Sequence, residues 1–108
     1  MIEIKIKPLS INKSFKGRRF KTKECKEYEE EIFYTLPNIE MPKGKLQLDL
    51  IFGFKNKLSD IDNPVKIFTD ILQKKYDFDD RDIYRMTIEK QIVKEEFIKF
   101  KIKKYVST

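Results

Sequence analysis

The sequence contains no histidine and no tryptophan, and Cys25 is its only cysteine. Without histidine, the chain cannot use a His general base, a His-containing catalytic triad or most kinds of zinc site. A single cysteine cannot form an internal disulfide, which is typical of proteins in a reducing compartment, so we expect a cytoplasmic protein. Hydrophobic runs span only a few residues, and the opening "MIEIKIK" is unlike a signal peptide. We therefore expect no membrane segment.

The length and composition are those of one globular domain. The chain has 108 residues, of which 39% are charged and 40% hydrophobic. This balance is typical of a folded domain that buries a real core. The 24 Lys and Arg residues exceed the 18 Asp and Glu residues, so the net charge is +6. A positive balance suits a polyanionic partner such as nucleic acid, although many small proteins are basic for solubility alone.

The hydrophobic pattern predicts a single α+β domain, with a mixed β-sheet and two helices in the order β-α-β-α-β-β. "IEIKIK" alternates as a strand does, and the basic stretch from Pro8 to Lys21 has the breakers of a long loop. A helix is expected from Thr22 to about Leu36. The clearest strand is "KLQLDLIFGF".

The second half of the chain predicts one helix and two strands. Asn63 followed by Pro64 predicts a helix that Asn63 caps and Pro64 begins, ending near Tyr76. The segments around Met86 and "FIKFKIKKY" predict two strands. We expect them to pair as a hairpin that turns near Val93.

Aspartate is concentrated in one segment of this basic chain. Seven of its eight aspartates fall there: Asp60, Asp62, Asp70, Asp77, Asp79, Asp80 and Asp82. Each one alone is explained equally well as a turn or cap residue. Asp60 and Asp62, however, would point the same way in extended backbone, and neighbouring carboxylates repel unless a cation or proton lies between them. With Asp79 and Asp80 from the following loop, they would suit Mg²⁺, which binds carboxylates, water and phosphate.

Two other phosphate or metal motifs fail on their spacing. A calcium loop beginning at Asp60 would need an oxygen ligand at Pro64, glycine at Val65 and glutamate at Ile71. The three glycines stand apart, so no phosphate-binding loop or small-molecule cofactor motif is present. Lys66 could stabilise charge on a phosphate. Its spacing from Asp70 also predicts an ordinary surface ion pair, and by spacing alone the ion pair is favoured.

The stretches "DIDNPVKIFTDIL" and "FDDRDIY" resemble the signature of the RusA family, small metal-dependent endonucleases of bacteria and phages that resolve Holliday junctions. The family pattern consists of an Asp-x-Asp-Asn motif, a lysine three residues after the asparagine, and a later Asp-Asp pair. The opening "KPLSINKSFKGRRF" is similar to the start of the family, so the resemblance spans nearly the whole chain. Pro64 departs from the pattern, because a helix-former is expected there.

The resemblance implies a function and a set of site residues. It implies a Mg²⁺-dependent enzyme, with Mn²⁺ as a substitute, that cuts four-way DNA junctions by paired symmetric nicks as a homodimer. Asp60, Asp62 and Asp80 would be metal ligands, with Asp79 a further candidate, and Lys66 would be catalytic. Asn63 and Asp70 would support the site.

The basic loop adds a predicted DNA contact. Its polar and charged residues could grip phosphates: Asn12, Lys13, Lys16, Arg18, Arg19 and Lys21. A solvated loop explains any one of them equally well. Two rival functions stay open at this point. One is a module that binds branched DNA without cutting it, and the other is a nuclease for flaps or forks.

Overall fold

A computed structural model describes residues 1–9, 15–16 and 20–107 of the protein. It confirms the predicted order β-α-β-α-β-β and adds a short two-stranded ribbon within the basic segment. The elements are β1 (Ile2–Ile4), β2 (Phe15–Lys16), β3 (Phe20–Lys21), α1 (Lys23–Thr35), β4 (Leu46–Phe54), α2 (Val65–Tyr76), β5 (Ile83–Ile92) and β6 (Phe97–Lys104). No helix among the described residues has the length and apolar character that a membrane span requires.

The four-stranded sheet has the order β1-β6-β4-β5, so the predicted hairpin of the last two strands is wrong. β4 lies between them, parallel to β5 and antiparallel to β6. The chain leaves β5, crosses the end of β4 and returns on its other side. Val93 N donates to Phe54 O (2.8 Å) and Lys55 N to the Glu96 carboxylate (3.4 Å), which anchors this crossing. The parallel pair is joined through α2, as a crossover connection requires.

Both helices pack on one face of the sheet. Leu48, Leu50, Phe52 and Phe54 alternate along β4 and are buried against the helices. From α2, the core takes Ile67, Phe68, Ile71 and Leu72, which recur at helical spacing. The fold therefore commits one side of α2 to the core, and the residues between these positions face elsewhere.

The opposite face of the sheet is polar and is centred on Asp49. Its carboxylate accepts hydrogen bonds from the Thr87 hydroxyl (2.6 Å) and the Gln47 amide (2.9 Å), and lies 3.7 Å from Lys103 Nζ. Partial burial by itself raises the pKa of Asp49, but the two hydrogen bonds and the lysine charge together hold it below its usual range. The Asp49 carboxylate at the centre of this face therefore already has hydrogen-bond and ion-pair partners.

The start of α2 differs from the prediction. The first helical residue is Val65, and Pro64 takes the cap position with no capping hydrogen bond from a side chain. Asn63 instead donates its side-chain amide to the Asp60 carboxylate (3.4 Å). The chain enters the helix through a turn in which Val65 N donates to Asp62 O (3.1 Å). Because Asn63 serves that turn, it does not act as the cap.

Candidate active site

Four of the predicted site residues line one open cleft of about 540 Å³ between α2 and the beginning of β5: Asp62, Lys66, Asp70 and Asp80. Asp62 comes from the turn before α2, and Lys66 and Asp70 from the helix itself. Asp80 begins a short 3-10 helix, Asp80–Asp82, that leads into β5. The spacing of these α2 residues places them on the side of the helix that the core leaves free.

Two of the aspartates that the resemblance implies as ligands, Asp62 and Asp80, lie toward opposite ends of this cleft. Asp62 precedes the first turn of α2, whereas Asp80 follows its last turn. A helix of twelve residues is roughly 18 Å long. The cleft therefore has two acidic ends, with Lys66 on the helix between them. Asp70 lies nearer to the Asp80 end.

Lys66 forms the ion pair that its spacing predicts. Its Nζ lies 3.6 Å from Asp70 Oδ1, and the two side chains are 67% and 50% exposed. An exposed pair of this kind adds only about 0.3–0.5 kcal/mol to stability. Both residues nevertheless line the cleft. The ion pair and the catalytic reading of Lys66 are thus compatible in this geometry.

Thr69 is a site residue that the sequence analysis missed. Its side chain is 6% exposed and lines the cleft between Lys66 and Asp80. Within the part of the chain that the structure describes, its hydroxyl has no hydrogen-bond partner. Leaving a buried hydroxyl unpaired costs about 1–3 kcal/mol, so such a group usually meets water or a ligand. The signal available in the sequence was a threonine beside the apolar residues of the predicted helix.

Gln73 was also missed, and it connects the helix to Asp80. Its Oε1 accepts from Asp80 N (2.9 Å), and its Nε2 lies 3.4 Å from both Asp70 Oδ1 and Thr69 O. One amide thus touches both carboxylate-bearing residues at this end of the cleft. The sequence carries no signal for this contact, because it joins a helix to the loop seven residues later.

The structure places Asp60 and Asn63 outside this cleft. Both line a separate pocket with Lys7, Pro64 and Glu96. The expectation that Asp60 and Asp62 point the same way assumed extended backbone, but the chain turns here. Asn63 N donates to Asp60 O (3.4 Å), and the next turn bond starts at Asp62. Because a turn rotates successive side chains, the two aspartates face different pockets.

Asp79 caps the short 3-10 helix. One carboxylate oxygen accepts from Arg81 N (3.0 Å), and the other lies 3.7 Å from Arg81 Nε. The backbone hydrogen bond is the main cause that lowers the pKa of Asp79, and the Arg81 charge adds to it. Asp79 is not among the residues that line the cleft. Its capping role is the one that turn preference predicts for an aspartate.

The predicted DNA-contacting segment is described only in part. Asn12, Lys13, Arg18 and Arg19 lie outside the described residues, whereas Lys16 and Lys21 belong to the backbone of the β2–β3 ribbon. The ribbon pairs Phe15 with Lys21 and Lys16 with Phe20. The segment that we predicted as a loop therefore contains paired backbone on both sides of its centre.

The donor set of the cleft suits Mg²⁺ better than a metal that is enclosed by protein. Among the described residues, no three acidic or cysteine side chains come together as a preformed metal cage. Mg²⁺ binds through one or two carboxylates and keeps water and phosphate as its other ligands. Asp70 and Asp80, joined by Gln73 beside the Thr69 hydroxyl, offer an all-oxygen set of that kind.

Comparison with known proteins gives no assignment. No protein-family model matches the chain, and no curated protein matches its sequence.

Proposed function

We propose that this protein is a Mg²⁺-dependent, structure-selective DNA endonuclease that resolves four-way junctions by paired symmetric nicks in recombination and repair. Mn²⁺ would substitute for Mg²⁺. The setting would be the bacterial cytoplasm, whether the gene belongs to a host or to a phage. The resemblance to the RusA family suggests this function, and the cleft between α2 and β5 supports it.

The observation that carries the proposal is that one cleft of a basic protein brings together carboxylates, a lysine and a hydroxyl that has no hydrogen-bond partner among the described residues. Lys66, Thr69 and Asp70 line the cleft from α2, and Asp80 lines it from the 3-10 helix. The core explains neither Lys66 nor Asp70, because they occupy the side of α2 away from Phe68 and Leu72. A cation and a phosphodiester together would complement this mixture of charges.

Each residue has a role in this proposal. Asp70 and Asp80 would hold Mg²⁺ at one end of the cleft, and Asp62, which the resemblance also implies as a ligand, lines the cleft toward its other end. A bound Mg²⁺ supplies positive charge that polarises the phosphate and favours ionisation of an attacking water. The Lys66 ammonium stabilises negative charge that develops on the departing oxygen. The Thr69 hydroxyl donates a hydrogen bond to a phosphate oxygen or a water. Asp60 and Asp79, which face away, keep the flanking turns in shape.

A junction-cleavage assay tests this proposal. We expect the purified protein to cut a labelled synthetic four-way junction at symmetric positions with Mg²⁺, and to leave it intact with EDTA. Flap, fork and plain duplex substrates of the same sequence run in parallel. Preferential cutting of flaps or forks would show that the substrate is another branched DNA and not the four-way junction. Tight binding of the junction without any cleavage, in either Mg²⁺ or Mn²⁺, would show a binding module instead.

The proposal includes a homodimer, and β5 supports one way to form it. Of the described strands, β5 pairs only with β4, so its ten residues leave one edge open at the border of the cleft. Tyr84 and Ile92 on this strand are 56% and 53% exposed. Long edges with exposed apolar residues favour pairing with another strand. In an antiparallel pairing centred on Thr87, Arg85 of each copy would lie opposite Glu89 of the other.

Charge reversal tests this seam. We expect the wild-type protein to sediment as a dimer, and the single variants Arg85→Glu and Glu89→Arg to dissociate, because like charges would then face each other. The double variant should regain the dimer, because both pairs are restored in reverse. Lys101→Glu, which reverses an exposed charge on β6, is the matched control and should stay dimeric. A monomeric wild type, or a double variant that stays dissociated, would rule out this pairing.

A further inference from the structure

The side chain of Gln73 has no catalytic group, yet it spans the acidic end of the cleft. Asp80 follows α2 by only a few residues, on an exposed link that includes Asp77 in left-handed backbone (φ 54°). The 2.9 Å hydrogen bond from Asp80 N to Gln73 Oε1 ties this link back to the helix. The direction of the Asp80 carboxylate therefore depends on a contact made by its own backbone.

A side-chain amide can make both sets of contacts. The N–H of Asp80 needs an acceptor, and the Asp70 carboxylate and the Thr69 carbonyl need donors. A glutamine presents one of each at this length, whereas glutamate presents acceptors only and leucine neither. The orientation of the Gln73 amide is thus set by its neighbours, and in turn it contacts the Asp70 carboxylate and the backbone N–H of Asp80.

We infer that Gln73 is a positioning residue, which sets Asp80 against Asp70 for joint binding of a divalent cation. This inference rests on the proposed function. Groups behind metal ligands orient them, and losing one typically costs about 10–100-fold in metal affinity or activity. Gln73 acts here through the backbone of one carboxylate residue and the side chain of the other.

The end of α2 does not need this side chain. The helix is closed by the backbone carbonyl of Gln73, which accepts from Asp77 N at the left-handed cap and from Phe78 N (3.3 Å). Because those bonds use the main chain, they survive a side-chain substitution. A role in ending the helix and a role in placing Asp80 can therefore be separated by experiment.

The test compares Gln73→Leu and Gln73→Glu with the wild type and with Asn38→Leu, an amide substitution at an exposed position outside the cleft and outside β5. Two quantities are measured across a Mg²⁺ titration: the junction-cleavage rate and the thermal unfolding midpoint. For Gln73→Leu we expect the Mg²⁺ concentration at half-saturation to rise about tenfold in both readouts. Gln73→Glu keeps the acceptor for Asp80 N–H and should shift less. Asn38→Leu should match the wild type.

The outcomes separate this inference from the proposed function. Half-saturation of Gln73→Leu within twofold of the wild type would overturn the inference and leave the nuclease intact. If Gln73→Leu fails to fold, the same criterion applies to Gln73→Met, which has a similar length and also lacks the amide acceptor and donor. If the wild type never cuts but Mg²⁺ raises its unfolding midpoint, the proposed function falls, and the thermal titration alone decides the role of Gln73. If Mg²⁺ neither supports cutting nor changes the midpoint, both fall.

Discussion

Replacing Asp62 or Asp80 by asparagine is expected to reduce junction cleavage more than about 100-fold, since losing one group that stabilises transition-state charge typically costs roughly 10²–10³. Each change keeps the size of the side chain and removes one negative charge that faces the cleft. Because negative charge next to DNA opposes binding, junction affinity should stay equal or rise. Single-turnover cleavage and a gel-shift titration measure the two effects on the same protein.

Asp77→Asn is the matched control for these two variants. It makes the same chemical change in the same segment, but Asp77 is not among the residues that line the cleft. Its left-handed backbone (φ 54°) also accepts asparagine readily. We expect near-wild-type cleavage from this variant. Wild-type rates for Asp62→Asn and Asp80→Asn would show that the acidic cleft is not the catalytic site, and a dead Asp77→Asn would point to general loss of charge instead.

Phe68→Ala is expected to lower the free energy of unfolding by about 3–5 kcal/mol, the usual range for a buried phenylalanine. Phe68 is 0% exposed and packs edge-on between Phe52 (6.3 Å) and Phe100 (5.6 Å), measured between ring centroids. It joins α2 to both central strands of the sheet. Domains of this size are stable by only about 5–15 kcal/mol, so the loss is large. Guanidinium unfolding followed by far-UV circular dichroism gives the value.

Tyr34→Ala serves as the control for this stability prediction. Tyr34 makes an edge-on contact with Phe33 (5.4 Å between centroids) but is 81% exposed. Its loss should change the free energy of unfolding by no more than about 0.5 kcal/mol. A loss of less than about 0.5 kcal/mol in Phe68→Ala would contradict the placement of Phe68 in the core. So would a loss in Tyr34→Ala as large as that in Phe68→Ala.

The sequence pattern was reliable where structure depends on near neighbours. The alternation of Leu48, Leu50 and Phe52 predicts β4, and the buried stripe of α2 follows from its apolar spacing. The i, i+4 spacing of Lys66 and Asp70 predicts their ion pair. These features depend on side chains a few residues apart, whose relative directions are set by the period of a helix or strand.

Long-range packing determined the features that the sequence pattern mispredicted or could not show. β5 and β6 are consecutive in the chain, yet β4 lies between them, pairs with both and carries a row of buried side chains at the centre of the sheet. Gly53 gives no strong signal in the sequence, but a Cβ there would lie 2.5 Å from the Phe97 ring on the neighbouring strand. Which strand lies beside which depends on the whole core.

The same distinction between local spacing and long-range packing applies to the candidate site. By itself, the sequence determined that aspartates gather around α2 and that Lys66 and Asp70 share one side of it, since helix spacing is local. Only the tertiary structure separated Asp60 from Asp62 through a turn, brought Asp80 back to Gln73 and buried the Thr69 hydroxyl beside them. Those arrangements depend on how the chain turns and on what packs against it, and residue spacing contains neither.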